Sequence, residues 1–226
     1  MRELVIVFDS VRYDQMVEAD APNLKGVGKM NKAYSHGRWT RPSMTSLLSG
    51  YLPWCQEVKN PWEPSWAYLN FGEEPRYFFN TSPWCLHLSP IKGTEIPYDP
   101  ARQAKNIVED IIKTDFGTAV VLLSETHINY WCVEEDEDAI SFKKRAWEYN
   151  KGLPDPDLPE MARLMQLKAI EYLDALMGKL LNSFTGKVYY TSDHGELLGE
   201  EHRIGHDPSF VFHEKLFEVP LIVGET

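Results

Sequence analysis

Cysteine is scarce in this chain. Its 226 residues hold three, Cys55, Cys85 and Cys132, an odd count with no C-x-x-C spacing. That pattern points away from a disulfide framework and toward reduced, partly buried thiols in a cytoplasmic protein. A chain of this length buries enough surface to need no disulfide staple. Long apolar runs are also missing. No stretch approaches the ~20 residues that a membrane span requires. The N-terminus, Met1-Arg2-Glu3-Leu4, opens into a strand without the apolar region or cleavage site of a signal peptide. Basic charge is in deficit, with 23 Lys and Arg against 34 Asp and Glu and a formal net charge of -11. A general nucleic-acid binder would carry a basic face, so that class is disfavoured. The acidity is compatible with a cation-loaded site, because a bound metal locally reverses the sign. No internal repeat is visible, and the length fits one large domain or two small ones.

What is present is an alternation of strands and helices. Leu4 to Phe8 is a continuous apolar run, read as a buried parallel strand that ends at Asp9. Lys187-Val188-Tyr189-Tyr190 reads as a second buried strand and runs into Thr191-Ser192-Asp193-His194-Gly195-Glu196. Arg76–Phe79, Ala119–Leu123 and Val219–Val223 read as further strands, the second of them ending near Glu125 and His127. Helices are predicted over Pro22–Met30, over Pro42–Leu48 with Gly50 closing it, and over Pro100–Lys113. The longest is predicted over Pro159–Phe184, with Leu164, Leu167, Ile170, Leu173, Met177, Leu180 and Leu181 as its apolar stripe. Ala33–Trp39 is ambiguous.

Two segments show no period. Residues 51–75, with several prolines and tryptophans, form an irregular stretch that could pack over a site. Residues 128–158 hold the acidic run Glu134–Asp138 followed by Lys143-Lys144-Arg145. That run reads as a solvated loop or frayed helix, with a lid over the site as the functional alternative. The alternation predicts an α/β fold whose largely parallel sheet is covered by helices on both faces.

The chemistry gathers at strand ends, where open α/β sheets place their sites. Asp9 closes one strand, and Asp193 with His194 closes another. If these strands are neighbours, their carboxylates and imidazole can converge on one divalent cation such as Zn²⁺ or Mn²⁺. Asp9 alone could equally be a turn or cap residue. In Trp39-Thr40-Arg41-Pro42-Ser43, Pro42 suits a first helical position and places Thr40 at a helix entrance. Backbone N–H groups and the helix dipole favour negative charge there. Thr40 could be a plain N-cap; beside a metal, its hydroxyl can ionise and attack an electrophile.

Four motifs in order carry a family resemblance: F-D-S-V-R-Y-D from Phe8, G-R-W-T-R-P-S-M-T-S-L-L-S-G from Gly37, T-S-D-H-G-E-L-L-G-E from Thr191, and V-P-L-I-V from Val219. Together they resemble the alkaline phosphatase superfamily, and most closely its sulfatase-like branch. The resemblance runs from Leu4 to Val223 and is weakest over residues 51–100 and 128–158. It implies a three-layer sandwich formed by a single sulfatase-like catalytic domain over residues 1–226. Because the sequence ends just after the last strand, the expectation is a core without the C-terminal subdomain typical of sulfatases.

The resemblance also implies roles. Asp9, Thr40, Asp193 and His194 match the metal-ligand set, for Zn or Mn first and Mg or Ca as alternatives, with one or two ions per chain. Thr40 falls where sulfatases carry the cysteine that becomes formylglycine and where phosphodiesterase-like relatives carry a hydroxyl residue. His127, near the family's H-x-P-Y element, and His206, where many sulfatases have lysine, would contact the substrate's anionic oxygens. Arg12 and Arg41 are further candidates for anion contact, and His213 for a second metal site. Several positions depart from the sulfatase pattern. Thr40 is not cysteine, Met44 replaces arginine, Ser10 stands at a second acidic ligand, and Asn129 replaces proline.

The expected activity is therefore metal-dependent hydrolysis or transfer of a small anionic phosphoester, a phosphodiester or small organophosphate, through a metal-activated Thr40 and a covalent phospho-threonine. A sulfuric-ester hydrolase without formylglycine is the first alternative. A non-catalytic binding protein on the same core is the second.

Overall fold

The computed structural model of the chain describes residues 1–50, 52, 76–81, 104–128, 130, 136–206 and 212–226. The irregular 51–75 stretch apart from residue 52, the start of the Pro100–Lys113 helix and the three cysteines lie outside the described residues. Elements are numbered here in chain order. Six strands form one sheet: β1 (Glu3–Phe8), β2 (Met30–Tyr34), β3 (Arg76–Asn80), β4 (Thr118–Leu123), β5 (Lys187–Ser192) and β8 (Glu218–Glu225). Their order across the sheet is β2-β8-β5-β1-β4-β3. The four central and right-hand strands are parallel, with β1 between β4 and β5. β8 runs antiparallel to both β5 and β2. The remaining strands, β6 (Leu197–Leu198) and β7 (Ile204–Gly205), form a separate antiparallel pair.

Parallel strands buried on both faces need apolar residues at nearly every position. β1 meets that requirement and sorts its side chains by face. Leu4, Ile6 and Phe8 enter one core, and Val7 enters another. On the first face lie α1 (Tyr13–Glu18), α2 (Pro22–Val27), α4 (Ala104–Lys113) and α6 (Leu158–Ser183). On the second face lies α3 (Thr40–Ser49), whose Met44 and Leu48 pack against Val7, Val120 and Leu122. The chain is thus an α/β fold with a mostly parallel sheet flanked by helices on both faces.

Three expectations change. The 128–158 segment is not irregular throughout, since Asp136–Asn150 forms a helix, α5. Phe142, Ala146 and Tyr149 lie one turn apart on its inner face and join Leu158, Ala162, Met165 and Ala169 of α6 in a cluster of their own. The dense charge on the outer face hides that short apolar period in the sequence. The Pro22–Met30 helix stops at Val27, and Met30 instead opens the edge strand β2. Leu164, placed in the apolar stripe of α6, is 47% exposed.

Register fixes where chemistry can occur. Phe8 is paired with Leu123 on one side and Ser192 on the other. The three strands therefore release their next residues at one edge, bringing Asp9, Ser124 and Asp193 to the same end of the sheet. No helix among the described residues is long and apolar enough to cross a membrane.

Candidate metal centre at the strand ends

Two tight turns shape the centre. After β1, Asp9 keeps its amide bonded to the Leu123 carbonyl at 2.8 Å, and its own carbonyl accepts the Thr126 hydroxyl at 2.7 Å. Ser10 then takes a left-handed backbone at φ 64°. After β5, Asp193 and His194 precede Gly195, whose amide donates to the Leu216 carbonyl at 2.9 Å. A Cβ on Gly195 would stand 1.9 Å from the Lys215 carbonyl oxygen. Only glycine allows this approach, which explains the glycine in D-H-G.

These turns bring Asp9, Asp193 and His194 together, all fully or almost fully buried, with ligand atoms within 4.8 Å of one another. His194 Nε2 lies 3.5 Å from Asp9 Oδ1 and 3.4 Å from Asp193 Oδ2. Its Nδ1 lies 2.7 Å from the Gly195 carbonyl, which can only accept. Nδ1 therefore carries a hydrogen, which leaves Nε2 as the atom that can ligate a cation. Thr40 is the first residue of α3, and its Oγ1 lies 3.4 Å from Asp9 Oδ1 and 3.3 Å from His194 Nε2. The four residues singled out as a ligand set thus converge on one point.

The donor set fits a divalent cation. Asp9 Oδ2 and Asp193 Oδ2 are buried and have no hydrogen-bond partner. Two adjacent buried carboxylates without a cation are costly. The strain is visible in Asp9, whose pKa is pushed up to about 8 by burial first and by the neighbouring Asp193 charge second. Two carboxylates, an imidazole nitrogen and a hydroxyl suit Zn²⁺ or Mn²⁺.

A second group adjoins the first. His127, Glu196 and His206 also bring ligand atoms within 4.8 Å of one another. The ring of His206 stands edge-on to His194 at 4.2 Å and to His127 at 4.9 Å between centroids. Its Nδ1 lies 3.6 Å from Glu196 Oε1, and neither atom has a hydrogen-bond partner. The other Glu196 oxygen accepts the Tyr130 hydroxyl at 3.0 Å. Burial holds His206 well below the usual imidazole pKa, with the charges of His194 and His127 adding to the effect. Burial likewise lifts Glu196 to about 7.

The other candidates lie elsewhere. His213 is in neither group; its Nδ1 accepts the Lys215 amide at 3.2 Å and caps a short 3₁₀ turn. Arg12 is engaged by carboxylates of the chain itself: Asp14 through two nitrogens, at 2.9 and 2.6 Å, and Glu200 at 2.7 Å. It also reaches the Glu196 carbonyl at 3.4 Å, so it ties the turn after β1 to the loop after β5. Arg41 is buried in the first turn of α3. Glu196, Tyr130 and Gln166 are members of the site region that sequence reasoning did not single out. Glu196 lies within T-S-D-H-G-E itself, but nothing local marks it as buried.

No protein-family profile matches the chain, and no curated protein matches it by sequence. Solved structures do match. The C-terminal periplasmic domain of the phosphoethanolamine transferase EptC from Campylobacter jejuni aligns over 98% of this chain and 78% of its own, at 16% identity and a TM-score of 0.65. The phosphonate monoester hydrolase of Agrobacterium radiobacter aligns over 99% and 68%, at 14% identity and a TM-score of 0.66. The fold is alkaline-phosphatase-like. BT1596, a 2-O glycosaminoglycan sulfatase, shares it over 100% of this chain and 64% of its own, at 12% identity and a TM-score of 0.68. The periplasmic domain of EcEptC from Escherichia coli, in a complex with Zn, matches at 15% identity and a TM-score of 0.58, over 100% of this chain and 72% of its own. Phosphorus-ester and sulfate-ester enzymes thus share this alkaline-phosphatase-like fold.

Proposed function

We propose that this chain catalyses metal-dependent hydrolysis or transfer at a phosphoric ester, with Thr40 as the nucleophile. One observation carries the reading. The Thr40 hydroxyl stands at the N-terminus of α3, against Asp9 Oδ1 and His194 Nε2, in a centre with two unpartnered carboxylate oxygens. Asp9, Asp193, His194 and Thr40 would hold the ion, zinc or manganese by donor type. Such an ion supplies positive charge that lowers a hydroxyl's proton affinity and offsets charge on phosphoryl oxygens.

The chain's own residues account for the rest. The first amides of α3 and its dipole favour the anionic ester beside Thr40. Thr40 Oγ1 forms a bond to phosphorus as the bond to the leaving oxygen breaks, and the proton lost by Thr40 is matched by one gained by the departing alcohol. Water then attacks the phospho-threonine and restores the hydroxyl, releasing phosphate from a monoester or the remaining phosphomonoester from a diester. An alcohol in place of water would make the reaction a transfer.

His127 and His206 line the adjoining wall and would meet the ester's anionic oxygens. His206, kept neutral near pH 7, offers a hydrogen-bond donor there rather than a positive charge. Glu196, with a pKa of about 7, can hold or release a proton beside it. A threonine in place of the formylglycine cysteine supports phosphorus over sulfur as the reacting centre.

The test is a screen of aryl phosphomonoesters, phosphodiesters, phosphonates and sulfates with added Zn²⁺ or Mn²⁺. Thr40→Ala is expected to lower turnover by roughly a thousandfold or more, with an unchanged circular dichroism spectrum. Thr40→Ser is expected to retain activity. Full turnover by Thr40→Ala would remove threonine as the nucleophile, and turnover of aryl sulfates alone would move the chain to sulfuric esters.

A further inference from the structure

We propose that Ser10 is the positioning residue of this centre, holding both aspartate side chains in place beside His194 and Thr40; the inference rests on the metal-site reading above. Ser10 follows Asp9 directly and is fully buried. Its φ of 64° is a left-handed conformation that residues other than glycine, asparagine and aspartate seldom adopt, and such backbones cluster at functional sites.

The conformation has a visible consequence. It points two donors of one residue at two different carboxylates. The Ser10 amide donates to Asp193 Oδ1 at 3.0 Å, and its hydroxyl donates to Asp9 Oδ1 at 2.9 Å. Asp193 Oδ1 accepts a second bond from the His194 amide at 2.8 Å. Each aspartate is therefore held through its Oδ1, with no hydrogen bond to its Oδ2; Asp193 faces His194 Nε2 through Oδ2 at 3.4 Å, and Asp9 faces the same atom through the held Oδ1 at 3.5 Å.

The turn is held from outside as well. Gln166 of α6 donates to the Ser10 carbonyl at 3.1 Å, and the next amide, Val11, donates to Ser192 Oγ at 2.8 Å. Ser10 is thus fixed by the longest helix on one side and by the end of β5 on the other. It orders two acidic side chains without adding a charge of its own. Partners that orient metal ligands in this way typically contribute 10- to 100-fold to metal affinity.

Two substitutions separate positioning from packing. Ser10→Ala and Ser10→Gly both delete the hydroxyl, but only glycine relieves the left-handed backbone. Zinc affinity of the full chain would be measured by isothermal titration calorimetry, and melting temperature on the metal-free forms. Both variants are expected to bind zinc about 10- to 100-fold more weakly than wild type. Metal-free Ser10→Gly is expected to melt at or above the wild-type temperature, so affinity falls while stability does not. If Ser10→Ala fails to fold, Ser10→Gly carries the test. Wild-type zinc affinity in Ser10→Gly, or a loss of affinity that tracks a loss of melting temperature, would overturn the inference. A wild-type chain that binds no zinc would overturn the metal reading, and this inference with it.

Discussion

Gly195 lets the chain lie tightly against itself, and the centre depends on that contact. The residue carries no chemistry, yet it sets the direction of Asp193 and His194 by letting the turn after β5 lie against Lys215 and Leu216. Gly195→Ala would place a methyl 1.9 Å from a backbone oxygen that cannot rotate away. The expected result is a loss of about 1–3 kcal/mol in urea unfolding, together with weaker zinc binding. Ligand-type residues could be read from the motifs because aspartate, histidine and threonine at strand and helix ends are chemically conspicuous. Glu196 and Gln166 could not, because their importance comes from complete burial. A glutamate or glutamine on paper carries no sign of being buried.

Elements deliver these residues through their ends. β1 and β5 each deliver an aspartate, and α3 delivers Thr40 at its first position with its dipole aligned. α6 supports the centre from beneath with Gln166. α5 acts at one remove. Phe142 packs edge-on against Tyr130 at 5.7 Å, and the Tyr130 hydroxyl donates to Glu196. Phe142→Ala should cost about 3–5 kcal/mol in chemical denaturation. The hydrophobic period of α6 was legible because it persists over 26 residues. That of α5 was not, because its buried positions are few and charged residues surround them. Within that region, residues 136–150 form a helix docked on α6 and β7.

At the scale of the whole molecule, folding buries two carboxyls of the centre in an environment that resists their ionisation. Asp9 is raised from 3.8 to about 8 and Glu196 from 4.5 to about 7, burial being the larger cause in both. Folding therefore retains protons that the unfolded chain has already released. The stability linked to these two groups is fully present below about pH 4 and is lost as pH rises toward 8. Asp14 works in the opposite direction, but its carboxyl is lowered to about 2, so its contribution changes only in strong acid. Metal-free protein in EDTA should melt at progressively lower temperature between pH 7 and 8, above the range in which the depressed His206 pKa makes stability rise with pH. Zinc should reverse that trend, because it binds the deprotonated site and stabilises the folded state by mass action. Parallel thermal melts with EDTA and with zinc across this range check both signs.

The linear chain determined the α/β class, the strand that ends at Asp9, the strand that ends at Asp193 and His194, and the helix entrance at Thr40. Those follow from local rules, because apolar period, turn residues and capping positions act over a few neighbours. Strand order and register were decided only in three dimensions, when β1 settled between β4 and β5 and placed residues 9 and 193 side by side. The antiparallel direction of β8, the second group of His127, Glu196 and His206, and the occupation of Arg12 and His213 by other partners were decided there too. Each depends on contacts between residues far apart in sequence, whose energies become comparable only when the chain has packed.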